Sequence, residues 1–180
     1  MSLYCLISSK WIMKALKKLL RLPEKKFRIF VVEDSDIFRD LLSVFIKEIG
    51  SKKKFREKIS CEVHSFKSGE ECVQALNEKP DIVVLDYQLD PGAKRSSALG
   101  KKNKPMNGLE TLKVIKKVLP SVEAVMVTAK GDFSVNTGAL DAGAAEYLEK
   151  GPGIREKLQN TIADLMKKII GDEPGQPALA

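Results

Sequence analysis

An α/β fold on a doubly wound, five-stranded parallel sheet is what this sequence predicts, and three observations carry that reading. The chain has 180 residues, enough for one domain with a sizeable core plus extensions. Short, β-branched apolar runs alternate with helical patterns five times over. Acids, a threonine and a lysine stand where the apolar runs stop, and in open parallel sheets ligands gather at the carboxyl ends of the strands.

The elements follow in order. Residues 27–32 (FRIFVV) form a first strand. Residues 36–49 carry Ile37, Leu41, Leu42, Phe45 and Ile49 at helical spacing, with Gly50 as a stop. Residues 60–66 alternate as a second strand, and 68–77 form a short helix opened by a capping box, Ser68 with Glu71. Residues 81–85 (DIVVL) are uniformly apolar after the aspartate, as befits a strand buried on both faces. A helix over 108–118 aligns Leu109, Leu112, Ile115 and Val118; residues 124–128 (AVMVT) make a fourth strand. A small-residue helix over 135–142 ends at Gly143, residues 145–148 make the fifth strand, and 154–170 aligns Leu158, Ile162, Leu165 and Ile169 in a last helix.

The net charge of +7 is uneven: residues 1–26 carry +6 and residues 91–107 carry +5, so the rest of the chain is net acidic. Two basic appendages flank an acidic domain, which argues against a nucleic-acid binder throughout. The domain boundaries read as a basic N-terminal extension and linker over 1–26, a domain over 27–171 with a basic insertion at about 91–106, and a Gly/Pro-rich tail over 172–180. Three cysteines (Cys5, Cys61, Cys72) and one histidine, His64, show no zinc-ligand spacing, so the cysteines read as small apolar residues in a reducing cytoplasm.

The strand ends hold the chemistry. The first strand ends at Glu33-Asp34, the third at Asp86, the fourth at Thr128 and the fifth just before Lys150. If the strands are adjacent, three carboxylates, a hydroxyl and an ammonium meet on one rim. Three clustered carboxylates resist ionisation unless a cation compensates them, and Mg²⁺ suits hard oxygen ligands. A site of that kind then accepts a further anion, such as a phosphoryl group on Asp86, with Thr128 and Lys150 holding its oxygens.

These residues resemble the receiver domain of two-component response regulators, a flavodoxin-like fold with strand order 2-1-3-4-5. The resemblance covers about residues 27–170 and rests on Glu33-Asp34 in FVVEDS, Asp86 in VVLDY, Asn107-Gly108-Leu109-Glu110, Thr128-Ala129 in MVTAK, and the stretch from Gly143 to Lys150. It implies that Asp86 is the phosphoacceptor. It further implies that Glu33, Asp34, Asp86 and the backbone carbonyl of Gln88 hold Mg²⁺, that Thr128 and Lys150 bind the phosphoryl group, and that Tyr147 is an aromatic switch. Plainer roles compete for some of these: Ser35 or Asp36 as a helix cap, Tyr147 as packing, and His64 as a sheet-surface residue.

The implied function is Mg²⁺-dependent acceptance of a phosphoryl group from a histidine kinase or phosphotransfer protein, with switched protein–protein contacts as output. Self-phosphorylation and self-dephosphorylation of Asp86 would be the only chemistry. Two other classes compete: a phosphorylation-independent interaction module, and an aspartyl-phosphate phosphatase. The phosphatase carries a second acid two residues after its nucleophile, where Gln88 stands here. Ten residues follow Ile170, too few for a DNA-binding module, so no direct DNA contact is expected.

Three features depart from the family pattern. Gly108 lies 22 residues after Asp86, well beyond the usual spacing, Leu89-Asp90-Pro91 replaces the usual Met-Pro after the site, and Gly151 replaces the common proline after Lys150. Residues 10–22 (KWIMKALKKLLRL) form an amphipathic pattern that could dock on the domain, dimerise, lie on an anionic membrane, or precede a domain that truly starts near Lys25. The insertion reads first as a solvated loop and second as a grip on an acidic partner. Deletion of residues 92–104 is therefore expected to leave the phosphorylation and dephosphorylation rates and kinase choice unchanged; an altered kinase choice would assign the loop to partner recognition.

Overall fold

The computed structural model describes residues 25–51, 59–89, 105–129 and 133–171. The N-terminal pattern over 10–22, the insertion around 91–104 and the tail lie outside the described residues. Five parallel strands form one sheet, β1 (Lys25–Val32), β2 (Ile59–Phe66), β3 (Ile82–Asp86), β4 (Glu123–Thr128) and β5 (Glu146–Glu149), in the order β2-β1-β3-β4-β5. The helices are α1 (Asp36–Ser51), α2 (Gly69–Gln74), α3 (Gly108–Val118), α4 (Phe133–Asp141) and α5 (Ile154–Gly171). The predicted fold and strand order are those observed.

Alternation along the strands explains why both faces are covered. Phe27, Ile29 and Val31 of β1, Ile82 and Val84 of β3, and Val125 and Val127 of β4 share one core with Leu42, Ile46 and Ile49 of α1 and Leu158, Ile162 and Met166 of α5. The intervening Phe30, Val32, Val83, Leu85, Ala124 and Met126 share the other with Cys72 of α2, Leu112 and Ile115 of α3, and Ala139 of α4. The three inner strands, β1, β3 and β4, are largely apolar on both sides because helices lie on both sides. Cys72 is wholly buried and its thiol is pushed up to about 12 by burial; the thiol of half-buried Cys61 is pushed up to about 11 for the same reason.

Several local expectations shift. Helix α1 runs through Gly50 to Ser51 rather than stopping at the glycine. Its buried face is Leu42, Ile46 and Ile49, while Ile37 and Leu41, which the periodicity groups with the core, are exposed. The apolar arc of α1 is wider than the sheet can cover. Val118, the last residue of α3, is exposed as well, although the periodicity groups it with Leu112 and Ile115. The expected helix over 68–77 is α2 followed by a 3₁₀ turn at Leu76–Glu78. Ser68 caps it by accepting from the Glu71 amide (3.3 Å), but the Glu71 carboxylate accepts from the Lys67 amide (3.0 Å), one residue before the Ser68 amide that a full box uses. The complete capping box opens α3 instead, where the Asn107 side chain accepts from the Glu110 amide (2.8 Å) and the Glu110 carboxylate from the Asn107 amide (2.9 Å). Gly143 ends α4 region as predicted, at φ +93°, a conformation that favours glycine.

Ile46 is fully buried between α1 and the sheet. Ile46→Ala is expected to lose about 2–5 kcal/mol of unfolding free energy, read as a lower midpoint in urea with an unchanged slope.

Candidate functional site

The register of the sheet assembles the site. Val32 of β1 pairs with Leu85 of β3, so the next residues, Glu33 and Asp86, leave the sheet side by side. Asp86 pairs with Val127 of β4, and Thr128 with Glu149 of β5. The chain then turns, and the Lys150 amide donates to the Thr128 carbonyl (2.7 Å). Glu33 and Asp86 continue the alternation that faces α1 and α5. Both are almost wholly buried, at 1% and 4% exposure, and Thr128 is fully buried.

Lys150 closes the group. Its Nζ donates to Glu33 Oε2 (2.6 Å) and to Asp86 Oδ2 (2.9 Å), and sits 4.5 Å from the centre of the Phe38 ring. The other carboxylate oxygens are held by main chain: the Ser35 amide donates to Glu33 Oε1 (3.3 Å) and the Gln88 amide to Asp86 Oδ1 (3.2 Å). Each of Glu33, Asp34 and Asp86 offers a carboxylate oxygen within 4.8 Å of the others.

The charges do not balance. Burial raises the Glu33 and Asp86 carboxyls above the usual range; Lys150 pulls both back without restoring them. Burial also works against the Lys150 ammonium, but its two carboxylate partners outweigh that and hold it above its ordinary value. One ammonium is shared between Glu33 and Asp86, with the Asp34 carboxylate beside them. The donor set is hard oxygen, clustered and under-compensated, which fits a small divalent cation such as Mg²⁺.

The predicted residues Glu33, Asp34, Asp86 and Lys150 are thus brought together. Thr128 stands at the same strand end, and Gln88 meets Asp86 through its amide. Tyr147 is half-buried against the core on the α3 and α4 side of the sheet. Ser35, not Asp36, caps α1, accepting from the Phe38 amide (3.4 Å). His64 lies on β2, as the sheet-surface reading has it, stacked on Phe30 with Nδ1 2.7 Å from Glu78.

Two contributors escape sequence reasoning. Arg39 is buried on α1, donates through Nη1 to the Glu33 carbonyl (2.9 Å) and pairs through Nη2 with Asp36, so it fastens the turn that carries the two acids. Phe38 supplies the ring under Lys150. Helical periodicity marks both as ordinary α1 residues; only the crossing of α1 over the strand ends gives them this place.

Gly108 sets the other wall. Its amide donates to the Tyr87 carbonyl (3.0 Å), and a Cβ there would lie 2.0 Å from the Asp86 carbonyl oxygen. The residues at the end of β3 and the start of α3 are in backbone contact that leaves no room for a side chain.

Comparisons with known proteins agree with this geometry. The response regulator receiver domain profile matches residues 29–163, three quarters of the chain. The response regulator GacA of Pseudomonas viridiflava is 29% identical over 133 residues, 73% of this chain and 52% of GacA. A protein-glutamate methylesterase/protein-glutamine glutaminase of Paramagnetospirillum magneticum is 30% identical over 142 residues, 77% of this chain and 34% of that protein. The chain thus spans between a third and about half of the length of these curated relatives. Among solved structures, a CheY-like receiver domain protein from Methanospirillum hungatei superposes with a TM-score of 0.61 at 21% identity, covering 81% of this chain and 98% of that one. The receiver domain of NtrX from Brucella abortus superposes at 0.59 and 24% identity, covering 77% and 97%. The chain belongs to the response regulator receiver domain family, and so to two-component signal transduction.

Gly108→Ala is expected to cost about 1–3 kcal/mol through the forced shift of the Asp86 main chain, whereas Gly151→Ala, with nothing within 4 Å of the new Cβ, stays within about 0.5 kcal/mol of the parent. Chemical denaturation of the two variants side by side checks both.

Proposed function

We propose that Asp86 accepts a phosphoryl group from a histidine kinase or phosphotransfer protein in the cytoplasm. The observation that carries this is the shared Lys150 ammonium on Glu33 and Asp86, with Asp34 completing a cluster of three carboxylates. An Asp86 carboxylate oxygen attacks phosphorus while the bond from phosphorus to the donor's imidazole nitrogen breaks. The imidazole keeps the electron pair and takes up a proton. An acyl phosphate remains on Asp86, and attack of water on phosphorus later returns the carboxylate and inorganic phosphate.

Glu33, Asp34, Asp86 and the carbonyl of Gln88 are the residues that would hold Mg²⁺, which supplies charge neutralisation for the acids and the incoming phosphoryl oxygens. Lys150 moves from two carboxylates to the phosphoryl group, a charge-assisted partner of the same kind. Thr128, at the strand end beside it, donates its hydroxyl to a phosphoryl oxygen. These new bonds bias the protein between two arrangements, since a modification shifts an equilibrium only through contacts that differ between states. Tyr147 reports the change on the outer side of β5, and the output is an altered set of protein contacts. Gln88 stands where an external-substrate phosphatase has its second acid, so turnover is confined to Asp86 itself.

Incubation with Mg²⁺ and a small-molecule phosphodonor such as acetyl phosphate is expected to add the mass of one phosphoryl group. Asp86→Asn abolishes the gain, and omission of Mg²⁺ or Asp34→Asn reduces it at least tenfold. Intact-mass spectrometry reads all four conditions. No mass gain in the parent would leave a phosphorylation-independent interaction module in its place.

A further inference from the structure

Large apolar side chains stand exposed at five described positions, and three of them share α1: Ile37 at 84%, Leu41 at 39% and Val44 at 51%. Their spacing of four and three residues stacks them in one stripe on the side away from Leu42, Ile46 and Ile49. Toward α5 the stripe is bordered by Phe45, over which Arg155 lies 5.5 Å from the ring centre. On its other border stand the exposed Asp40 and Lys47, with Asp36 paired to Arg39 and Lys67. A surface helix with three adjacent bare aliphatic residues is half of a contact.

We propose that the segment 10–22 of this same chain forms a helix that lies along α1 and covers Ile37, Leu41 and Val44. Its sequence supplies the complement: Trp11, Ile12, Ala15, Leu16, Leu19 and Leu20 fall on one helical face, and Lys10, Lys14, Lys17 and Arg21 on the other. With Lys18 at the edge of the cationic face, next to the apolar one, the segment has a cation suited to Asp40 at the border of the stripe.

Length and chain path fit. The chain enters β1 at Lys25, whose register partner is Ile59. A Cβ on Gly50, in the last turn of α1, would lie 3.5 Å from the Ile59 carbonyl. The chain therefore enters the sheet at the end where α1 finishes. Residues 21–24 extended reach about 17 Å from Leu20 to Lys25, enough to climb over α1. Residues 11–20 as a helix then span about 15 Å, the length of α1 from Ile37 to Lys47. That path sets Trp11 beside Ile37 and Leu41. So short a tether gives the segment an effective concentration in the millimolar range, which favours its own domain over a second copy or a membrane.

Trp11 is the sole tryptophan of the chain and reports the contact directly. The full-length protein is expected to show blue-shifted Trp11 emission and several-fold weaker quenching by acrylamide than the urea-unfolded chain, unchanged across protein concentrations and without lipid. In the double variant Leu41→Glu, Val44→Glu, both positions being exposed, emission shifts to the red and quenching rises to the unfolded value, while far-ultraviolet circular dichroism shows the domain still folded. A Trp11 as exposed in the parent as in the variant, or protected equally in both, overturns the proposal. Protection that grows with protein concentration gives the stripe to a second copy. Protection that appears only with phosphatidylglycerol vesicles gives the segment to a membrane. Each of these readouts is independent of whether Asp86 accepts phosphate.

Discussion

Three carboxylates leave the sheet at neighbouring strand ends, and one lysine is set among them. The arrangement depends on the parallel register, in which Val32 lies beside Leu85 and the next residues become Glu33 and Asp86. A slip of one residue in either strand would turn one acid to the opposite face and part the pair. The register is held by the two cores, since every residue of β3 is buried and no alternative pairing keeps all of them from water. Hydrophobic burial thus fixes the position of charges that, on their own, repel.

The cost of that placement shows in the electrostatics. Glu33 and Asp86 are both raised by burial, and Lys150 offsets only part of it. The domain can hold such a deficit because the surrounding main chain is committed: the Ser35 and Gln88 amides each donate to a carboxylate oxygen, and Arg39 ties the Glu33 carbonyl to α1. Two buried acids that one ammonium leaves raised, with a third carboxylate beside them, are set to take up positive charge and then an anion.

The periphery follows a different logic. Helix α1 has more apolar surface than its seat on the sheet can use, and α3 ends on an exposed Val118. On α1 the surplus is contiguous, which makes it a surface suited to an apolar partner. The amphipathic segment ahead of β1 has the matching apolar composition, and the proposed contact would give both surfaces a partner.

The sequence by itself determined the order and type of the elements, because alternating apolar runs and helical periodicity are local properties. It also determined which acids, threonine and lysine stand at strand ends, since each closes an apolar run. It did not determine which side of α1 faces inward. Ile37 and Leu41 fit the same period as Leu42 and Ile49, and only the angle at which α1 crosses the sheet separates them. Nor could it assign Arg39 or Phe38 to the site, or say why Gly108 must be a glycine, for these roles are contacts across the fold: a guanidinium on the Glu33 carbonyl, a ring under Lys150, and a backbone pressed on Asp86. Local pattern fixes what a segment becomes, whereas neighbours distant in the chain decide what each side chain meets.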